Sequence, residues 1–165
     1  MSICIMWERP DGGITVEMPA YADKRRSPDQ SDEDLLAELE TRSAVRLAKK
    51  YGGVSISHRM DDATIPKVDS AADSFRDAWE WQNGVSVNMS KARIIHMNRI
   101  RQARDAELTK LDTSFMRAVE VGDATEQARI SQLKQTLRDI PQTFDLASLT
   151  TPETLKAAWP PEVPA

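Results

Sequence analysis

The stretch Trp79-Glu80-Trp81-Gln82-Asn83-Gly84-Val85-Ser86-Val87 decides how this chain folds. Two apolar residues at alternate positions stand on either side of a Gly-bearing turn, the pattern of a β-hairpin. A two-residue turn at Asn83-Gly84 would set Trp81 against Ser86 and place tryptophans and valines on opposite faces. A three-residue turn over Gln82 to Gly84, with Gly84 left-handed at a bulge, sets Trp81 against Val85 and Trp79 against Val87 instead. The second arrangement gathers four apolar side chains on one face and pins the register, so it is the one expected.

Toward the C-terminus, Ser90 can cap a long helix on which Ile94, Met97, Ile100, Leu108, Leu111, Phe115 and Ala118 form one apolar stripe, interrupted by Arg104. Gly122 ends it. Asp123 and Glu126 restart a second helix lined by Ile130, Leu133, Leu137 and Ile140, and Pro141 closes it. So short a connection makes an antiparallel helical hairpin. In the tail, Thr151-Pro152-Glu153 starts a single helical turn, and the apolar Trp159 is expected to dock on its own domain.

Toward the N-terminus, Ala71 to Ala78 reads as a short helix, preceded by a turn-rich stretch through Asp61, Asp62 and Pro66. Earlier, Ile3, Ile5 and Trp7 alternate with Cys4 and Met6, Pro10-Asp11-Gly12-Gly13 turns the chain, and Ile14, Val16 and Met18 alternate again. Pro19 to Gln30, which includes Lys24-Arg25-Arg26 and Pro28, reads as a loop. Ser31 caps a helix whose acidic first turn suits the positive end of the helix dipole and whose Leu35, Leu36, Leu39, Ser43 and Leu47 fall at helical spacing. Gly52 stops it, and Val54, Ile56 and His58 form a returning strand. The fold class expected is α+β: a small hairpin, helix and strand unit over 1–60, a linker, short helix and Trp-bearing hairpin over 61–89, a long helical hairpin over 90–141, and a tail over 142–165.

At 165 residues the chain is long enough for one core and too short for two large domains. Its 40% apolar and 29% charged residues are those of a globular protein. No apolar run approaches the roughly 20 residues that span a bilayer, and no secretory leader pattern opens the chain, so a cytosolic protein without a membrane partner is expected. The single cysteine, Cys4, forbids an internal disulfide and reads as a buried small hydrophobe.

The chemistry-bearing residues are sparse. His58 at a strand end and His96 on a charged helix face lack a nucleophile partner at a recognisable spacing, and no HxxxH, CxxC or phosphate-loop pattern appears. Catalytic, cofactor and metal residues are therefore expected to be none, and the protein is not expected to be an enzyme. Net charge is −4, and residues 90–141 hold ten Lys/Arg against seven Asp/Glu. Arg93, Arg99, Arg101 and Arg104 form a basic patch without interleaved aromatics, so nucleic acid is not expected as a partner. Replacing Arg93, Arg99 and Arg101 with serine should leave folding intact.

A helix of about 30 residues is roughly 45 Å long and outreaches its second helix. Its first turns, from Ile94 to Ile100, must then pack on the Trp79/Trp81 hairpin, on another copy, or on a foreign protein. Trp79, Trp81, Ile94, Met97, Ile100 and Trp159 are accordingly the candidate partner-binding residues.

Leu137-Arg138-Asp139-Ile140-Pro141, followed after a gap by Ala158-Trp159-Pro160, resembles the C-terminal pattern of phage tail assembly chaperone proteins. The opening Trp7-Glu8-Arg9-Pro10-Asp11-Gly12-Gly13, and the order of Trp hairpin, Arg-rich helix and Met116-Arg117-Ala118, look like small proteins encoded beside phage tail genes. Where those chaperones carry Asp-Trp-Thr-Gln-Leu-Pro, this sequence has Leu111-Asp112-Thr113-Ser114-Phe115 and continues the helix. The resemblance implies a tail-associated role without catalysis, in tail or tail-fibre assembly, with a phage tail or tail-fibre protein as partner; the length of the first helix leaves a homo-oligomer as an option. The host cytoplasm would be its place during assembly. The alternatives are a structural virion component at the tail tip or fibre junction, located in the virion tail, and a small nucleic-acid-binding regulator.

Overall fold

A computed structural model describes residues 2–19, 21, 27, 29–53 and 55–164. The chain forms two compact units, Met1–Asn88 and Met89–Ala165. The class is α+β, as expected. Val54, and Lys24-Arg25-Arg26 and Pro28 of the expected loop, lie outside the described residues.

The first unit is built around β1 (Ile3–Glu8). It pairs antiparallel with β2 (Ile14–Glu17) on one side and with β3 (Ile56–Asp61) on the other, giving the order β2-β1-β3. A central strand is covered on both faces only if both sets of alternate residues are apolar, which is what the Ile-Cys-Ile-Met-Trp run supplies. Ile5 and Trp7 pack on α1 (Asp32–Tyr51) with Leu36 and Leu47. Met6, on the other face, joins Ile14 and Trp79.

The ends of α1 follow the expected chemistry. The Ser31 hydroxyl accepts from the Asp34 amide and the Asp34 carboxylate accepts from the Ser31 amide, a reciprocal cap. At the other end Gly52 is left-handed (φ 74°) and its N–H reaches the Ala48 carbonyl. Arg59 fastens β3 to this helix, placing two guanidinium nitrogens on the two carboxylate oxygens of Glu40 and a third on Glu33. These hydrogen bonds, Glu40 foremost, hold the Arg59 guanidinium charged well beyond its ordinary range. Replacing Arg59 with methionine is expected to cost about 1 kcal/mol in a denaturant titration, and less at high salt, because the pair is partly exposed.

The Trp hairpin is β4 (Trp79–Trp81) with β5 (Val85–Val87), and its register is the expected one, Trp79 opposite Val87 and Trp81 opposite Val85. The turn differs in detail. Asn83, not Gly84, occupies the left-handed well (φ 54°), while Gly84 takes φ 153°. Asparagine tolerates the first conformation, and the second is one an L side chain rarely adopts, although open space surrounds the Gly84 Cα. The expected helix over 71–78 is a 3-10 helix, Asp73–Ala78, broken at Phe75 (φ −114°, ψ 34°). That break turns Phe75 into the interior, where it is 1% exposed.

The second unit contains α2 (Met89–Glu120), α3 (Ala124–Thr143) and α4 (Pro152–Ala157). Asp123 caps α3 by accepting from the Glu126 amide, while the Glu126 carboxylate pairs with Arg129, which holds it below the usual carboxylate range. Lys134 of α3 pairs with Asp112 of α2 and stands over the Phe115 ring at 5.4 Å. Pro141 does not close α3 but lies inside it. Only two residues follow it in the helix, so the loss of its N–H falls in the last turn, and the Phe144 amide completes the helix on the Ile140 carbonyl at 2.8 Å.

Candidate protein-binding surface

The apolar stripe of α2 runs differently from the spacing expected. Its buried residues are Ala92, His96, Ile100 and Ala118, and Ile94 is 62% exposed. Six residues before Ile100, Ile94 stands roughly 120° round a helix of about 3.6 residues per turn, whereas the four-residue steps 92, 96 and 100 drift little. His96, expected on a charged face, is interior.

What covers the first turns of α2 is the chain's own tail. At about 1.5 Å per residue, 20-residue α3 matches only part of 32-residue α2, and α4 packs on α2 as well. Two side chains of α2 fasten the tail by its backbone. The Arg93 guanidinium donates twice to the Leu149 carbonyl, at 2.7 and 3.2 Å. His96 Nε2 donates to the Ala158 carbonyl at 2.6 Å, which fixes its proton on that nitrogen. The Trp159 ring meets His96 edge-on at 5.7 Å, and its Nε1 donates to the Val163 carbonyl. Leu146, Leu155, Pro160 and Val163 are buried.

The expected basic patch is thereby divided. Arg93 is spent on Leu149, Arg104 pairs with Asp105 and is itself only 17% exposed, and Arg101 donates to Asn98. Serine at Arg93 would therefore loosen the tail, contrary to the expectation that the triple replacement leaves folding intact. His58 lies within β3, not at a strand end; its Nε2 is 2.9 Å from Glu8 Oε1 and its ring stacks on Trp81 at 4.2 Å. Cys4 is fully buried, and burial, first among the causes, pushes its thiol up. Among the described residues no group of three His, Cys, Asp or Glu side chains could hold a metal ion, and no helix is long and apolar enough to cross a membrane.

The six candidate partner-binding residues fall in different places. Trp79 is interior to the first unit and Ile100 to the second, Trp81, Met97 and Trp159 are half-buried, and Ile94 faces solvent. At the turn end of the helical hairpin Met116, Val119 and Val121 are exposed, Val121 by 78%; of these the sequence marked only Met116, in the Met116-Arg117-Ala118 motif, and none as a partner-binding residue. Their signal was apolar residues lying off the stripe, which period alone cannot separate from stripe residues over so short a stretch.

The family model of the phage tail assembly chaperone protein matches residues 97–164. That segment, which comprises most of α2, all of α3 and the docked tail, is similar to the phage tail assembly chaperone family. The Leu137-to-Pro141 and Trp159-Pro160 motifs sit at the end of α3 and at the tail's anchor on α2. No curated protein and no solved structure matches the chain. The matched family points to a role in tail assembly.

Proposed function

We propose that the protein acts without catalysis in tail or tail-fibre assembly, in the host cytoplasm, by binding another tail protein through apolar side chains left exposed on its helical unit. The observation that carries this is the coincidence of the family match over 97–164 with exposed apolar residues in the same unit: Met116, Val119 and Val121 at the hairpin's turn. Exposed apolar side chains grouped on one feature are the usual mark of a protein-binding surface. Ile94, just before the matched segment, with half-buried Met97 beside it, extends the surface to the other end of α2.

Quantitative mass spectrometry of purified phage particles, set beside lysates of infected cells, tests the assembly role. The protein is expected in the lysate and absent from particles; a fixed ratio to the major tail protein would make it a structural component of the virion. Aspartate at both Val119 and Val121 is expected to leave the melting temperature nearly unchanged, since exposed positions contribute little to stability, yet to lower the yield of tailed particles. Undiminished yield would remove the hairpin turn from the binding surface.

A further inference from the structure

Asparagine is chemically labile where the next backbone nitrogen can reach its side-chain carbonyl carbon. The chain contains Asn83, Asn88 and Asn98, and the structure separates them. Asn98 lies within α2, where the nitrogen that follows it belongs to the helix ladder. The Asn88 side-chain amide donates to Glu80 Oε2 at 2.6 Å, and Met89 follows it, so a Cβ crowds the neighbouring nitrogen. Asn83 has neither restraint. It stands exposed at the tip of the Trp hairpin, left-handed at φ 54°, and no hydrogen bond holds its side chain among the described residues. Gly84 follows, with open space where a Cβ would stand. Its carbonyl accepts from the Gln82 amide at 2.9 Å, while its own N–H bonds to no backbone carbonyl among the described residues.

Asp11-Gly12, in the β1–β2 turn, has the same pattern of a short carbonyl side chain before glycine and is held shut. The Gly12 N–H donates to the Arg9 carbonyl at 2.9 Å. Asp11 Oδ1 accepts from the Arg9 guanidinium at 3.0 Å and from the Gly13 amide at 2.9 Å.

We propose that Asn83 is a site of spontaneous deamidation, and that its isoaspartyl product unpairs the Trp hairpin. The Gly84 nitrogen gives its proton to solvent base and attacks the Asn83 side-chain carbonyl carbon, forming the new N–C bond of a succinimide ring. The side-chain nitrogen leaves as ammonia, taking up a proton from solvent. Water then opens the ring at either carbonyl. One opening leaves aspartate on an unchanged backbone; the other leaves isoaspartate, with the main chain running through the side-chain methylene. The net change is amide plus water to carboxylate plus ammonium. The extra backbone atom falls between Trp81 and Val85, so the pairing that sets Trp79 against Val87 is lost from the tip inward, and with it the seat of Trp79 on Met6 and Ile14. The glycine that the turn's φ of 153° demands is also what leaves the nitrogen open to react. The site lies outside residues 97–164 and does not rest on the tail-assembly role.

The test is incubation of the full chain in warm, mildly alkaline buffer, read by peptide mapping in the mass spectrometer and by enzymatic methylation of isoaspartate. A synthetic peptide of residues 79–87 incubated alongside gives the unrestrained rate. Asn83 is expected to convert within about tenfold of the peptide's rate, because an exposed hairpin tip opens at little cost, while Asn88, Asn98 and Asp11 stay unchanged. Amide exchange across 79–87 is expected to speed up in the isoaspartyl fraction and to stay slow in Asn83→Asp, which carries the new charge on an unaltered backbone. Asn83→Gln is expected to abolish the reaction and keep the fold. An Asn83 that stays intact while the peptide converts would overturn the proposal, as would isoaspartate forming equally fast at Asp11. Exchange across the hairpin unchanged by conversion would overturn its unpairing.

Discussion

Replacing Trp79 with alanine is expected to cost about 3 to 5 kcal/mol and to lower the melting temperature by roughly 10 °C. The size follows from position. Trp79 is 3% exposed and sits between the hairpin and the sheet, against Met6 and Ile14. Its Nε1 donates to the Ala72 carbonyl at 2.8 Å, and the Arg76 guanidinium lies over its ring at 5.4 Å. Alanine would leave a cavity, remove one of the two donors to the Ala72 carbonyl, which keeps the Phe75 amide, and uncover one face of β1. Phenylalanine keeps most of the volume and should lose only about 1 kcal/mol through the missing donor. An unchanged melting temperature in the alanine protein would move Trp79 out of the core and into an interface.

The second large effect is expected at Leu155, which is fully buried in the docked tail. A buried leucine cut to alanine typically costs about 2 to 5 kcal/mol. Here the loss cannot exceed the free energy with which the tail holds α2, because a weakened tail can undock while the rest stays folded. The change should therefore appear first as faster amide exchange across 145–163, with β1 amides unaffected. Arg93→Ser should act in the same place and more weakly, since it removes two charge-assisted donors to the Leu149 carbonyl and leaves the apolar anchors. Tail amides that exchange at the unaltered rate in the Leu155→Ala protein would show that burial at this residue does not fasten the tail.

Local chemistry was legible in the sequence. The Ser31 and Gly52 caps, the β1–β2 hairpin and the Trp79–Val87 register each depend on residues a few positions apart, and each formed as its spacing predicts. Pro141 was misplaced because a proline near a helix end costs little, and the rule that proline stops helices is a rule about interiors. The cover on α2 was not legible at all. Arg93 finds its acceptor 56 residues along the chain and His96 finds its own 62 residues along, and a carbonyl acceptor leaves no trace in the identity of its residue. The error at Ile94 has the same root. Three-residue and four-residue steps look alike over two turns, and only the partner decides which face is inside.

The assignment of roles was legible in part. The motif at Leu137 to Pro141 and the closing Trp159-Pro160 pointed to the family that the comparison of residues 97–164 also found. The tryptophans drew attention as candidate anchors for a partner, yet Trp79 serves its own unit, since large aromatics are as valuable in a small core as at an interface. Of the apolar residues at the hairpin turn, Met116 lay within a quoted motif that gave it no role, and Val119 and Val121 met none.

The doubly covered strand β1 also fixes an order of events during synthesis. Its partners lie far along the chain and arrive late: Arg59 pairs opposite Ile5, and the hairpin that packs against Met6 is complete only at Val87. At a synthesis rate of about 5–20 residues per second, the Ile3–Trp7 segment waits on the order of 4 to 16 s for its last cover. The α2–α3 hairpin, whose contacts are mostly near in sequence, can form as it emerges. The segment at greatest risk of sticking to its neighbours in a crowded, heavily translating cell is thus the one whose cover lies farthest along the chain, and its safety depends on how quickly the ribosome reaches Val87.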